Sequence, residues 1–178
     1  AGEVDAKLEL EFVHGYARDC HANNLFYIKA KPLTSDGASE AGQTDDWSED
    51  TEIVYCAAGL GVVYDKRTNK QRFFRGHTDD VKCLTVSRAK DLCASGQLGR
   101  EPTAIVWDPY TCISLKVLTH PRGTRGVAAV GFDRDAATLA TVGMDNNHTI
   151  FIWDWRLGAC LHQLRGHADV PPKVYGVV

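Results

Sequence analysis

The chain has 178 residues, 44% hydrophobic and 24% charged, with a net charge of −3, a balance that predicts one soluble globular core. No apolar run approaches the roughly 18 to 20 residues a membrane helix needs. No basic, apolar, small-residue leader opens the chain, and its start at Ala1 reads as a fragment or a processed product.

Residues 8 to 13 alternate apolar and acidic side chains and predict a first strand with one buried face. His14-Gly15-Tyr16-Ala17-Arg18-Asp19-Cys20 turns the chain, and Leu25 to Ala30 predicts a second strand. Residues 31 to 50 change to Ser, Gly, Thr, Asp and Glu around a single Trp47, a composition that buries too little apolar area to offset ordering entropy. An acidic exposed loop is expected there. Residues 35 to 50 hold six acids and no Lys or Arg, so the rest of the chain is mildly basic.

Strands are expected again at Glu52 to Ala58 and Gly61 to Tyr64, followed by the basic turn Lys66-Arg67-Thr68-Asn69-Lys70 and an outer strand, Gln71 to Arg75. After Gly76-His77 come the apolar runs Leu92 to Gly96, Thr103 to Trp107 and Ile113 to Leu118. Val127 to Phe132 follows, and then Thr138 to Val142, Thr149 to Trp153 and Cys160 to Leu164 around the turn residues Gly143 to Asn147. Lys173 to Val178 reads as the first strand of a further unit.

Two dipeptides recur in phase with these strands. Trp107-Asp108 and Trp153-Asp154 lie 46 residues apart, Tyr64-Asp65 precedes the first of them by 43, and Gly76-His77 and Gly166-His167 are separated by 90. A period of about 40 to 45 residues with a Gly-His entry and a Trp-Asp exit marks a WD-type propeller blade. About fourteen strands make three to four blades, whereas propellers close with roughly four to eight. The predicted fold is therefore all-β, WD-type β-propeller blades in an incomplete ring, with a degenerate blade ahead of two clear ones. Further blades from the same or another chain would complete it.

His77, Ser95 and Asp108, and likewise His120, Thr141 and Asp145, are the residue types of a hydrolase triad, but Ser95 lies in Cys-Ala-Ser-Gly-Gln with no G-x-S-x-G elbow or following helix. Inside blades the same types form a relay from His through Ser or Thr to the Trp indole, which satisfies polar groups that are costly to bury alone. The expected relay residues are His77, Ser95 and Trp107 in one blade and His120, Thr141, Asp145 and Trp153 in the next. The first has no Asp in its central turn, 97–102, so its relay is expected to be the less complete. No catalytic, cofactor-binding or metal site is expected: Gly59-Leu60-Gly61 lacks the third glycine and helix of a dinucleotide site, and the six cysteines show no C-x-x-C pair. Lys66, Arg67, Lys70 and Arg72 read either as a charged edge strand or as the contact for an acidic partner surface. Nucleic acid is not expected, since there is no basic excess over the chain and no reading motif.

The runs Lys7-Leu8-Glu9-Leu10-Glu11-Phe12-Val13-His14-Gly15-Tyr16, Arg18-Asp19-Cys20, Glu52-Ile53-Val54-Tyr55 and Gly76-His77-Thr78-Asp79-Asp80-Val81-Lys82-Cys83-Leu84 together resemble the HELP motif of the echinoderm microtubule-associated protein-like family. The resemblance continues through Ala94-Ser95-Gly96-Gln97 and both Trp-Asp pairs and so covers nearly the whole chain. It departs at Ala17, where the family has a longer Gly-Tyr-Arg-Gly-Arg-Asp-like run, and at the insertion 31–50.

The resemblance implies a HELP-like segment over 1–75, two WD blades plus the first strand of another over 76–178, and a non-enzymatic protein that binds tubulin and microtubules. It also implies a place on the cytoplasmic cytoskeleton or the ciliary axoneme. Because the tubulin surface is acidic, Lys66, Arg67, Lys70 and Arg72 are the candidate tubulin contact. The family's trimerising coiled coil has no match here. A generic WD scaffold for a non-tubulin complex is the alternative.

Overall fold

The computed structural model describes residues 9–16, 24–29 and 51–166. The expected acidic loop at 31–50, the Arg18-Asp19-Cys20 run, His167 and the strand expected at 173–178 lie outside the described residues.

Twelve strands and no helix occupy the described residues. They form three four-stranded antiparallel sheets, each ordered as the chain runs. The first blade holds β1 (Leu25–Lys29), β2 (Thr51–Ala57), β3 (Leu60–Asp65) and β4 (Lys70–Phe74); the second β5 (Val81–Val86), β6 (Cys93–Gln97), β7 (Thr103–Asp108) and β8 (Ile113–Thr119); the third β9 (Val127–Phe132), β10 (Thr138–Gly143), β11 (Ile150–Asp154) and β12 (Ala159–Leu164). β1 neighbours β5, and β5 neighbours β9, so the first strands of successive blades stand side by side, as around a propeller axis.

Alternation along each strand gives every blade two faces, and the apolar residues of facing blades meet. Ile28, Val54, Cys56, Val63 and Phe74 of the first blade pack on Val81, Leu84, Cys93, Ile105 and Trp107 of the second. The opposite face of the second blade places Ala94, Ala104, Val106 and Leu118 against Val130, Leu139, Phe151 and Trp153 of the third. Where β6 meets the third blade there is no room for a side chain: a Cβ on Gly96 would lie 2.6 Å from that of Val127. The outermost strand, β12, is exposed along its whole length.

The Trp-Asp pairs have a local reason. Each blade's third strand ends on an aspartate whose carboxylate accepts bonds from the turn that follows: Asp65 from Arg67 N–H (2.8 Å) and Thr68 Oγ1 (2.7 Å), Asp108 from Tyr110 N–H (2.7 Å), Asp154 from Leu157 N–H (3.0 Å). Four residues on, the backbone turns left-handed at Asn69 (φ 52°), Cys112 (φ 55°) and Gly158 (φ 76°), and the N–H groups of Cys112 and Gly158 return to the carbonyls of Asp108 and Asp154. An aspartate that ties down its own turn is what a tight strand-to-strand reversal needs.

The strand expected over 8–13 is not formed: described residues 9–14 make no ladder. Val13 instead pairs with a side chain, its N–H donating to Gln71 Oε1 (2.7 Å) and its carbonyl accepting from Gln71 Nε2 (3.1 Å), while Phe12 meets the Tyr64 ring edge-on. Gln71 and Tyr64 are register partners on one face of the first blade. The segment thus lies across that face and not along an edge, so its backbone has no strand to pair with.

Candidate functional site

Two polar relays between blades and one exposed basic turn hold the residues that the sequence singles out. In the second blade, Ser95 on β6 and Trp107 on β7 share a face, and Gly76-His77 leads the chain into β5. Trp107 Nε1–H donates to Ser95 Oγ (3.0 Å), His77 Nε2 lies 2.6 Å from that oxygen, and His77 Nδ1 lies 2.9 Å from Gln97 Oε1. Gln97 Nε2 donates to Thr78 Oγ1 (3.0 Å), so its Oε1 is the end that faces the imidazole. The network then assigns the proton to His77 Nδ1 and leaves Nε2 to accept from the Ser95 hydroxyl.

Sequence reasoning left this blade incomplete for lack of an Asp, and the structure corrects that: Gln97 supplies the acceptor. The available signal was its position two residues beyond Ser95 on the same strand, hence on the same face.

In the third blade, His120 Nε2 and Trp153 Nε1 each lie 2.9 Å from Thr141 Oγ1. Asp145 does not reach His120. Its carboxylate accepts from Thr149 N–H (2.9 Å), Thr149 Oγ1 (2.7 Å) and Asn147 N–H (3.3 Å), closing the β10–β11 turn. Burial alone would raise the Asp145 pKa, but the Thr149 and Asn147 bonds outweigh it and hold it below the ordinary carboxylate value. His120 Nδ1 is left buried without a partner. The blade expected to be the more complete is therefore the less complete one.

Ser95 and Thr141 are fully buried, and each hydroxyl already serves an imidazole and an indole. Neither oxygen is open to a substrate. Among the described residues no group of three or more His, Cys, Asp or Glu could hold a metal ion.

Burial pushes both imidazoles down to about 4, against the smaller opposing effects of Gln97 on His77 and Asp145 on His120. Because the unfolded chain takes these protons near pH 6.5, the stability the two histidines contribute is complete above that pH and is lost as pH falls toward 4. A downward shift of that size corresponds to roughly 3 kcal/mol per histidine. Urea unfolding at pH 7.5 and pH 4.5 should show the midpoint falling sharply. His77→Gln should flatten the dependence, and an unchanged slope would refute the assignment.

The basic turn between β3 and β4 is shaped by Asp65. Lys66, Arg67 and Lys70 are exposed, with the Lys66 ammonium 5.7 Å from the centre of the Tyr27 ring. Arg72 departs from the expected contact set. It forms a two-pronged bond with Glu52 (2.7 and 2.6 Å) and reaches the Pro109 carbonyl of the second blade (3.3 Å). Register places Arg72 on β4 across β3 from Glu52 on β2, on the same inter-blade face, so its charge is neutralised inside the molecule. The exposed basic set is Lys66, Arg67 and Lys70.

A family profile described as WD domain, G-beta repeat matches residues 68–108, the span from the end of the basic turn through the second blade's Trp-Asp. The chain is 30% identical to the ciliary WD repeat-containing protein ctxp80 of Euplotoides octocarinatus, across 96% of this chain and 23% of that protein. It is 31% identical to human echinoderm microtubule-associated protein-like 2 (84% of this chain, 21% of the relative) and 32% identical to the Xenopus laevis echinoderm microtubule-associated protein-like 4 (92% and 17%). The chain carries WD repeats and resembles the echinoderm microtubule-associated protein-like family. It spans about a fifth of the length of these curated relatives. Within that framework the two relays bind one WD blade to its neighbour, since each Trp points at the preceding blade, and the basic turn of the first blade stays exposed.

Proposed function

We propose that this chain is part of a non-enzymatic microtubule-associated protein whose WD propeller binds the tubulin lattice, including that of ciliary axonemes. The observation that carries the reading is the similarity, over most of the chain, to proteins named microtubule-associated and ciliary. The sealed Ser95 and Thr141 hydroxyls support a binding role over a hydrolytic one. In this reading residues 1–75 supply the HELP-like segment and the first blade, residues 76–178 supply the later blades, and the outer face of the third blade meets a further blade. Lys66, Arg67 and Lys70 face the acidic tubulin surface, which accelerates encounter and makes binding sensitive to salt.

Co-sedimentation with stabilised microtubules at rising salt tests this. The chain should pellet at low salt and be released as salt rises, and joint Lys66→Glu, Arg67→Glu and Lys70→Glu should weaken pelleting about tenfold or more. No pelleting at low salt would overturn the reading. Pelleting untouched by the charge reversal would overturn the assignment of the turn.

A further inference from the structure

The second and third blades share a groove of about 400 Å³ that neither relay nor basic turn uses. Its walls are three short turns. The β5–β6 turn contributes Arg88 and Asp91, the β9–β10 turn Arg134 and Asp135, and the β11–β12 turn Arg156. Arg88 and Arg134 occupy equivalent places in successive blades, each directly after a residue that pins its turn. Ser87 Oγ accepts from the N–H groups of Asp91 (3.2 Å) and Leu92 (3.1 Å), and Asp133 Oδ1 from those of Ala137 (2.7 Å) and Thr138 (3.2 Å). Both turns end on a left-handed residue, Lys90 (φ 61°) and Ala136 (φ 51°). The two guanidinium groups therefore stand on matched, rigid supports.

The third arginine is fixed too. Arg156 lies over the Trp155 ring, 4.4 Å from its centre, and donates to the Ala136 carbonyl (2.9 Å), while Trp155 Nε1–H donates to that same oxygen (2.8 Å). One face of the guanidinium is stacked and one N–H is bonded; the other donors remain for a ligand. None of the three groove arginines takes part in the ion pair the structure shows, Arg72 with Glu52. Asp91, by contrast, is held back by the Ser87 hydroxyl (2.6 Å).

We infer that this groove docks an acidic peptide segment of a partner protein, with carboxylates on Arg88 and Arg134 and an apolar side chain between them. Charge complementarity selects the occupant: three guanidinium groups oppose two carboxylates, one of them engaged in its own turn. The apolar lining of Ala89, Leu92 and Ala136 suits a side chain and gives nothing to a small free anion. Guanidinium pairs hold carboxylates with two parallel bonds, and rigid supports reduce the ordering cost of binding.

The test uses the full chain and a fluorescein-labelled octapeptide of glutamates around a central leucine, followed by polarisation. Binding is expected at low ionic strength and should weaken as salt approaches physiological levels. Joint Arg88→Glu and Arg134→Glu should weaken it about tenfold or more, and joint replacement of both by Lys should give an intermediate loss, because an ammonium cannot make the two parallel bonds. Both arginines are exposed, so circular dichroism should show the variants folded. Unchanged affinity in the reversed variant would overturn the inference. So would equal binding of the lysine version of the peptide, or displacement by inorganic phosphate as effective as by unlabelled peptide, which would mark a simple anion site. The probe is synthetic, so the result is independent of whether the chain pellets with microtubules.

Discussion

Trp107→Ala should lower stability by about 4 kcal/mol, within the range for emptying a buried aromatic site. The indole is fully buried. It stacks on Phe74 of the preceding blade with centroids 4.5 Å apart and planes 1° from parallel. Its far edge presses on the first blade, where a Cβ added to Gly61 would lie 2.9 Å from Trp107 Cζ2. Because the side chain fills a gap between two sheets and not within one, neither sheet can close over the space without moving as a whole. Its N–H also satisfies Ser95, so the substitution removes a buried donor along with the ring. Chemical denaturation reads the effect directly. A loss under about 1 kcal/mol would mean that the first and second blades are not held together at this residue.

Arg72→Ala should cost about 2 to 3 kcal/mol, for a different reason, less than a fully buried pair would because the Arg72 side chain is 34% exposed. Glu52 is only 3% exposed, and Arg72 supplies both bonds to its carboxylate. Removing the guanidinium strands a charge between blades and also breaks the bond to the Pro109 carbonyl, a polar tie from the first blade to the second alongside the Val81 N–H to Ala58 carbonyl bond. A double-mutant cycle separates the pair from its desolvation cost. Joint Glu52→Gln and Arg72→Met should recover most of the loss, because no unpaired charge then remains buried. If the single and double variants are equally unstable, the damage comes from lost packing by the arginine stem and the ion pair contributes little.

The sequence carried the blades because their signals are local. Strand alternation, a Trp that needs a neighbouring sheet and an Asp that closes its own turn all act within a few residues, and the spacing of 46 between the Trp-Asp pairs repeats them. What it carried poorly depends on which side chain reaches which partner across a blade. Gln97 takes the acceptor place that an Asp was expected to fill, while Asp145, the right residue at the right distance, is drawn to the nearer Thr149. Lys66, Arg67, Lys70 and Arg72 form one basic run in the sequence, but strand parity turns Arg72 inward to a glutamate 20 positions away. The alternating run at 8–13 has the pattern of a strand, yet a strand also needs a free edge, and Gln71 offers a side chain instead. The groove arginines 88, 134 and 156 were not singled out at all, because turns from two blades bring them together.

The structural reading of the Ser, Thr, His and Trp residues is tested most directly by hydrogen exchange of the two indole N–H groups, followed by NMR in the full chain. Both protons should exchange only on a scale set by unfolding. Ser95→Ala should speed exchange at Trp107 while leaving Trp153, whose bond goes to Thr141, protected. Exchange of both indoles at the rate of free tryptophan in the unmodified chain would contradict the picture of blades locked face to face.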